Sequence, residues 1–377
     1  KKVFLEDAGV FNDITPIRST VSLGSNPVNT TGGAGSGVVT VTTQAAHGAE
    51  AGDFVTLASL TATDGITTAQ LNKEQTIASV PSTTTFTIDT GGSASSGSTA
   101  GGGSSGTAAF QINIGINTTI LGSGWSAGTW GRFEWGSASG ALSGITLRLW
   151  AVDNFGEDLL FNVMNGSIYY WDATNGTSTR AVELSSLTGA SDTPTIARKI
   201  LVSDVDRHVI AFGANILGTN TQDPLLIRFG SQESLTDFTP TATNTAGDIR
   251  LSKGSEIITA VQTSRQILVF TDQSLYSMQF LGAPFTFGVS LLGDNIRISG
   301  PNTAIAVNDV VFWMGQENFY LYDGRIQTIP CSVRDYVFND MNNQQSFKFH
   351  AGSIGSQTEI WWFYCSSSSS EIDRYVV

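Results

Sequence analysis

Short apolar runs separated by Gly, Asn-Gly and Asp-Gly turns recur along the chain, a spacing that predicts strands rather than helices. Residues 307–330 are the clearest case. Residues 310–314 form one β-branched and aromatic run, Gly315, Gln316 and Glu317 a polar turn, and residues 318–322 the returning strand. Asp323-Gly324 follows, a pair expected to close a type I′ turn because Gly tolerates positive φ. The same plan of apolar strand, polar turn and aromatic-rich strand returns at 158–172, 208–229, 257–280 and 359–377. Anchors at Leu160, Leu268, Val311 and Ile360 leave room for one further, weaker unit at 209–229. The unit length of about 40–50 residues is that of a propeller blade. Helical periodicity is confined to one candidate, residues 332–342 around Tyr336. The pattern therefore predicts an all-β chain whose body is a β-propeller, with an irregular β-sandwich as the second choice.

Before the repeats the pattern changes. Residues 1–21 read as propeller strands, with a turn at Asp7, Ala8 and Gly9 and a strand end at Pro16. Residues 22–116 read as an inserted small β-sandwich or barrel with strands at 38–43, 54–57, 74–80 and 84–89 and a helical turn near 69–72. Within it, 91–106 is a Gly/Ser linker with few side chains to bury, expected to be mobile. Residues 117–377 hold the blades. Lys1 is not an initiator Met and 371–377 reads as a strand without a following turn, so a longer polypeptide is expected on both sides.

Composition narrows the function classes. Charged residues are 14% of 377, which suits a surface partly reserved for other subunits. The net charge of −13 argues against a nucleic-acid reader, which needs basic stripes for phosphate contacts. No secretory signal, lipidation motif or bilayer-length apolar run is present. Cys331 and Cys365 are too few for a disulfide framework or zinc site and read as thiols of a reducing compartment. Asn165-Gly166 and Asn175-Gly176 match the glycosylation pattern but read as turns.

Candidate chemistry is sparse. His47, His208 and His350 stand alone in sequence, with no metal spacing or nucleophile elbow. Asp153, Glu157 and Asp158 cluster, and Asp172, Asp272 and Asp323 fall at strand ends of separate units. Paired carboxylates on a propeller can cleave glycosides, but Asp at a strand end more simply starts a turn. Trp125, Trp130 and Trp135, spaced by five among glycines, match neither a helix nor a strand face; they read as aromatic plates in an extended loop or as a sugar-stacking platform. The glycines there lack the strand–loop–helix context of a phosphate loop. No catalytic, cofactor-binding or metal-binding residue is assigned, and no cofactor is expected.

Several motifs occur in order: Asp-Ile-Thr-Pro-Ile-Arg at 13–18, Ala-His-Gly at 46–48 with Ala-Gly-Asp-Phe-Val at 51–55, and Gly124-Trp125 with Gly128-Thr129-Trp130-Gly131. Trp-Ala-Val-Asp-Asn-Phe-Gly-Glu-Asp at 150–158, Ile-Tyr-Tyr-Trp-Asp at 168–172 and Asp-Phe-Thr-Pro-Thr at 237–241 come next, then Gly300-Pro301 and Phe-Tyr-Leu-Tyr-Asp-Gly at 319–324. Together they resemble the tail hub or nozzle proteins of short-tailed bacteriophages, some labelled packaged-DNA-stabilisation proteins. The resemblance implies a virion protein of the phage tail, assembled in the host cytoplasm. It implies a subunit of a ring, expected to be a hexamer, that continues the DNA channel below portal and adaptor, retains the genome and passes it on ejection. Its partners would be copies of itself, portal and adaptor proteins, tail fibres or spikes, and DNA that slides past without sequence-specific binding; no membrane contact and no enzymatic activity follow from it. The competing reading is a virion-associated carbohydrate-binding or depolymerase propeller.

Overall fold

The computed structural model describes residues 2–117, 119, 147–190, 192–282, 285–355 and 358–377. The chain divides into two units, one of Lys1–Gly115 with Trp171–Val182 and one of Ile116–Tyr170 with Glu183–Val377.

The first unit opens with a hairpin of β1 (Phe4–Asp7) and β2 (Val10–Asp13), turned at Ala8 and Gly9 with φ of +51° and +85°. There follow β3 (Ile17–Gly24), β4 (Val28–Asn29), β5 (Val38–Thr42), β6 (Phe54–Ala58), α1 (Thr68–Leu71), β7 (Glu74–Ser82), β8 (Thr85–Asp89), β9 (Ala100–Gly101) and β10 (Gly106–Gln111). The eight strands form one sheet in the order β3-β10-β6-β7-β8-β5-β4-β9. Alternate residues of β5, β6 and β8, among them Val39, Val41, Val55, Leu57, Phe86 and Ile88, share one core, as the two-residue period of a half-buried strand requires. Four strands were expected from the pattern between 38 and 89. The sheet gains four more because the long flanking β3 and β10 join it, and because two-residue β4 and β9 are too short to leave a periodic signal. Within 91–106, Asp64 accepts hydrogen bonds from the Ser96 and Gly97 amides at 3.0 and 2.8 Å.

Among its described residues the second unit forms a β-propeller of five blades. Its first blade is β11 (Trp150–Phe155), β12 (Asp158–Val163), β13 (Ile168–Trp171) and β14 (Val182–Glu183); the second is β15 (Lys199–Val202), β16 (Val209–Phe212), β17 (Leu226–Phe229) and β18 (Gly247–Arg250). The third is β19 (Ile257–Gln262), β20 (Ile267–Thr271), β21 (Ser274–Gly282) and β22 (Thr286–Asp294), and the fourth β23 (Ala304–Val307), β24 (Val310–Met314), β25 (Phe319–Tyr322) and β26 (Ile326–Ile329). After α2 (Arg334–Asp340) come the three strands of the fifth, β27 (His350–Ile354), β28 (Glu359–Tyr364) and β29 (Arg374–Val376). All pairings recorded within the blades are antiparallel.

The middle strands explain why the sequence shows unbroken apolar runs. In β24, Val311 and Trp313 enter the core shared with the third blade, where Trp313 meets Phe270 at 5.2 Å between ring centroids. Phe312 and Met314, on the opposite face, enter the core shared with the fifth, where Phe319 meets Trp362 at 4.9 Å. Strands β16 and β20 divide their residues between two cores in the same way. A strand buried on both faces reads as continuous rather than alternating hydrophobicity. Trp362 adds a polar tie, its Nε1–H donating to the Thr303 carbonyl at 3.0 Å.

One expectation is corrected in the fourth blade, where β24 and β25 are the middle pair of the order β23-β24-β25-β26. The turn after Tyr322 is not type I′. Three residues, Asp323, Gly324 and Arg325, separate β25 from β26, and of the Asp-Gly pair only Gly324 has positive φ, +114°. Among the described residues no helix is long and apolar enough to cross a membrane.

Candidate functional site

The first strands of successive blades run beside one another, β11 by β15, β15 by β19, β19 by β23 and β23 by β27. Where four of them begin they enclose a cavity of about 230 Å³. Trp150 and Val152 contribute from β11, Lys199 from β15 with Arg198 just before it, Thr259 from β19, and Asn302 from the turn before β23. Two cations therefore line it, and no carboxylate is among its described lining residues.

The Arg198 side chain is only 6% exposed and one of its terminal nitrogens pairs with Glu256. The ring of Phe347 lies 5.8 Å from its guanidinium carbon. Its Nε–H is buried without a partner, as is the indole Nε1–H of Trp150. Lys199 keeps part of its surface open to the cavity, and its ammonium donates to Thr259 Oγ1 at 3.0 Å and to the Ala260 carbonyl at 2.7 Å. Burial lowers its pKa to about 8, against the weaker opposing pull of Asp153. Asp153 itself is raised by burial, although it accepts from the Val202 amide at 2.7 Å and the Asn154 amide at 2.8 Å.

The carboxylates singled out in the sequence are engaged locally. Asp172 caps the 3-10 turn after it, accepting from the Thr174 amide and hydroxyl at 2.9 and 2.6 Å. Asp272 accepts from the amide and hydroxyl of Ser255, both at 2.7 Å, and Asp323 from Gln327 Nε2 at 2.8 Å. Asp158 accepts from the Tyr170 hydroxyl at 2.6 Å. These bonds are those of turns and blade ties. Among the described residues no three His, Cys, Asp or Glu side chains converge as a metal site. Trp125, Trp130 and Trp135 lie outside the described residues. Cys331 and Cys365 are free thiols, and burial raises that of Cys365.

The histidines divide. His47 is buried between Phe86 and Phe110 and accepts the Ala49 amide on Nδ1 at 3.1 Å, while exposed His350 stacks on Phe363 at 4.7 Å. His208 is not alone, as the sequence suggested. Its Nδ1 lies 2.6 Å from Asp206 and its Nε2 3.0 Å from Thr245 Oγ1. The Asp206-Arg207-His208 spacing was the signal that could have found the first contact; Thr245 is too distant in sequence to be seen. An acid–imidazole–hydroxyl chain is the geometry of an activated nucleophile. Here, however, Thr245 Oγ1 also accepts the Gln232 amide at 2.8 Å, and the fully buried imidazole is flanked by Phe280 and Phe287. Burial lowers the His208 pKa against the attraction of Asp206. The arrangement fits a clamp that ties the 231–245 segment to the second blade.

Two hairpins expose apolar side chains. Phe11 of the β1–β2 hairpin is 72% exposed, with Phe4 and Val10 also in solvent. The β21–β22 hairpin overhangs its blade: the first five residues of β21 are buried, and Phe280, Leu281 and then Phe285, at 74%, are exposed. Sequence reading missed both, because an exposed and a buried Phe look alike in an apolar run.

No protein-family model matches the chain, and no curated protein matches it. Among solved structures it is similar to Kluyvelomyces marxianus Hsv2, at 10% identity and a TM-score of 0.31 over 60% of this chain and 60% of that one. It is also similar to the phage phi92 endosialidase, at 10% identity and a TM-score of 0.24 over 96% of this chain and 58% of that one. The chain thus spans less than two thirds of either, and at these scores neither likeness carries an argument about function.

Proposed function

We propose that the chain is a structural subunit of a bacteriophage tail nozzle or hub, a ring that continues the DNA channel below portal and adaptor and holds the genome until ejection. The observation that carries this reading is the pair of different exposed apolar hairpins, one in each unit. A ring of identical subunits needs a heterologous interface, in which one patch on each copy meets a second, different patch on the next. Exposed Phe4, Val10 and Phe11 offer one such patch, and Phe280, Leu281 and Phe285 the other. The motif resemblance to hub and nozzle proteins supplies the identity of the ring. The net charge of −13 suits a channel whose wall repels phosphates, so that DNA slides without sticking.

Sedimentation of hairpin variants tests the interface. Phe11→Ser and Phe285→Ser should each abolish rings, since either removes one side of every contact. Mixed one to one, the two variants retain one intact patch of each kind and should pair as heterodimers that grow no further. Rings that persist in both variants would overturn the reading. Glycan binding by the isolated protein, abolished by Asp323→Asn, would favour a carbohydrate-active propeller instead.

A further inference from the structure

The lining of the propeller cavity is at odds with the rest of the chain. In a protein of net charge −13, Arg198 and Lys199 line it without a carboxylate among the described lining residues. Glu256 answers Arg198, while among the described residues Lys199 has a hydroxyl and a carbonyl as its hydrogen-bond partners. An ammonium has three N–H donors, so one is left over. Two further donors, Arg198 Nε–H and Trp150 Nε1–H, are buried with no acceptor. A buried donor left unmet costs the free energy of its desolvation, more when charged, so native proteins rarely keep several in one place without a ligand.

We propose that this cavity binds one oxyanion group, a carboxylate or a phosphate carried by a small molecule, held by Arg198, Trp150 and Lys199. An oxyanion has lone pairs enough for all three donors and offers Lys199 the directly bonded charge that the weaker pull of Asp153 does not, and hydrogen bonds to ionised groups are the strong ones. Arg198 Nε–H and the indole N–H would fix its orientation, with the ammonium as the charge partner. The volume of about 230 Å³ holds a small acid rather than a lone ion. The site is independent of ring assembly and uses neither exposed hairpin.

Thermal unfolding of the full chain tests it, with inorganic phosphate or acetate titrated against chloride at constant ionic strength. The expected result is a midpoint that rises and saturates with phosphate, acetate or both, since a ligand that binds only the folded state stabilises it by mass action. A response to one alone assigns that chemistry; a response to both assigns the shared oxyanion. Trp150→Phe removes one N–H and should weaken the apparent affinity about tenfold, the effect of one hydrogen bond to a charged group. Arg198→Lys keeps the charge but removes Nε–H, and should do the same if Trp150→Phe fails to fold. No response of the wild-type midpoint, or one undiminished in whichever variant folds, would overturn the proposal.

Discussion

Lys2 and Arg180 in the first unit sit among carboxylates, whereas Lys199 in the propeller sits among neutral oxygens. Lys2 pairs with Asp13 at 2.9 Å and with Glu74, and Arg180 lies 3.3 Å from Asp13 and 3.4 Å from Glu74. Gln111 Nε2 donates to Glu74 at 2.6 Å. Two cations meet two anions, and the consequence is visible on Asp13. Burial alone would raise its pKa, but hydrogen bonds from Thr15 and Lys2 and the nearby Arg180 bring it down to about 2. Around Lys199 burial outweighs the weaker pull of Asp153 and pushes the ammonium down to about 8. A compensated cluster is built for holding a fold together, since removing one member strands the others. An uncompensated one is built at the fold's expense, and such sites are where ligands are expected.

Asp13→Ala should have the largest effect on this contrast. It leaves Lys2 and Arg180 sharing Glu74 and should cost about 3 kcal/mol, read from urea unfolding at neutral pH. The same residue sets an acid limb. With a folded pKa of about 2 against 3.8 for an ordinary aspartate, its stabilisation is fully present above 3.8 and is lost as pH falls through 2. That loss amounts to about 2 kcal/mol and should be missing from the variant. An equal acid limb in both proteins would show that the cluster is not compensated as described.

Lys199→Met should do much less. Replacing an uncompensated buried charge by an apolar side chain should leave stability at pH 7 unchanged or raise it by about 1 kcal/mol. The folded pKa of Lys199, about 8, lies below the ordinary 10.5, so the unfolded chain holds the extra proton between those values. Wild-type stability relative to the variant should therefore rise from pH 8 to 10.5. A loss of several kcal/mol at pH 7 would place Lys199 with the compensated charges.

What the sequence made legible follows the same division between local and distant signals. The anchors Leu160, Leu268, Val311 and Ile360 all fall in second strands of blades, β12, β20, β24 and β28, and the weak unit at 209–229 is the second blade. Strands β16, β20 and β24 were readable because each is divided between two cores, and β28 because its aromatic run is long. Outer strands such as β18, with its half-exposed Gly247–Arg250, left no run to find. The cavity was not legible at all. Trp150 lies within a motif and Arg198-Lys199 within none, and nothing in their separation along the chain says that β11 and β15 lie side by side. The clamp on Thr245 was hidden for the same reason.

Negative-stain imaging of the full-length protein mixed with its portal–adaptor complex tests the proposed function most directly. The account predicts closed rings seated on the adaptor with an open axial channel. A monodisperse monomer that never joins the adaptor would contradict it.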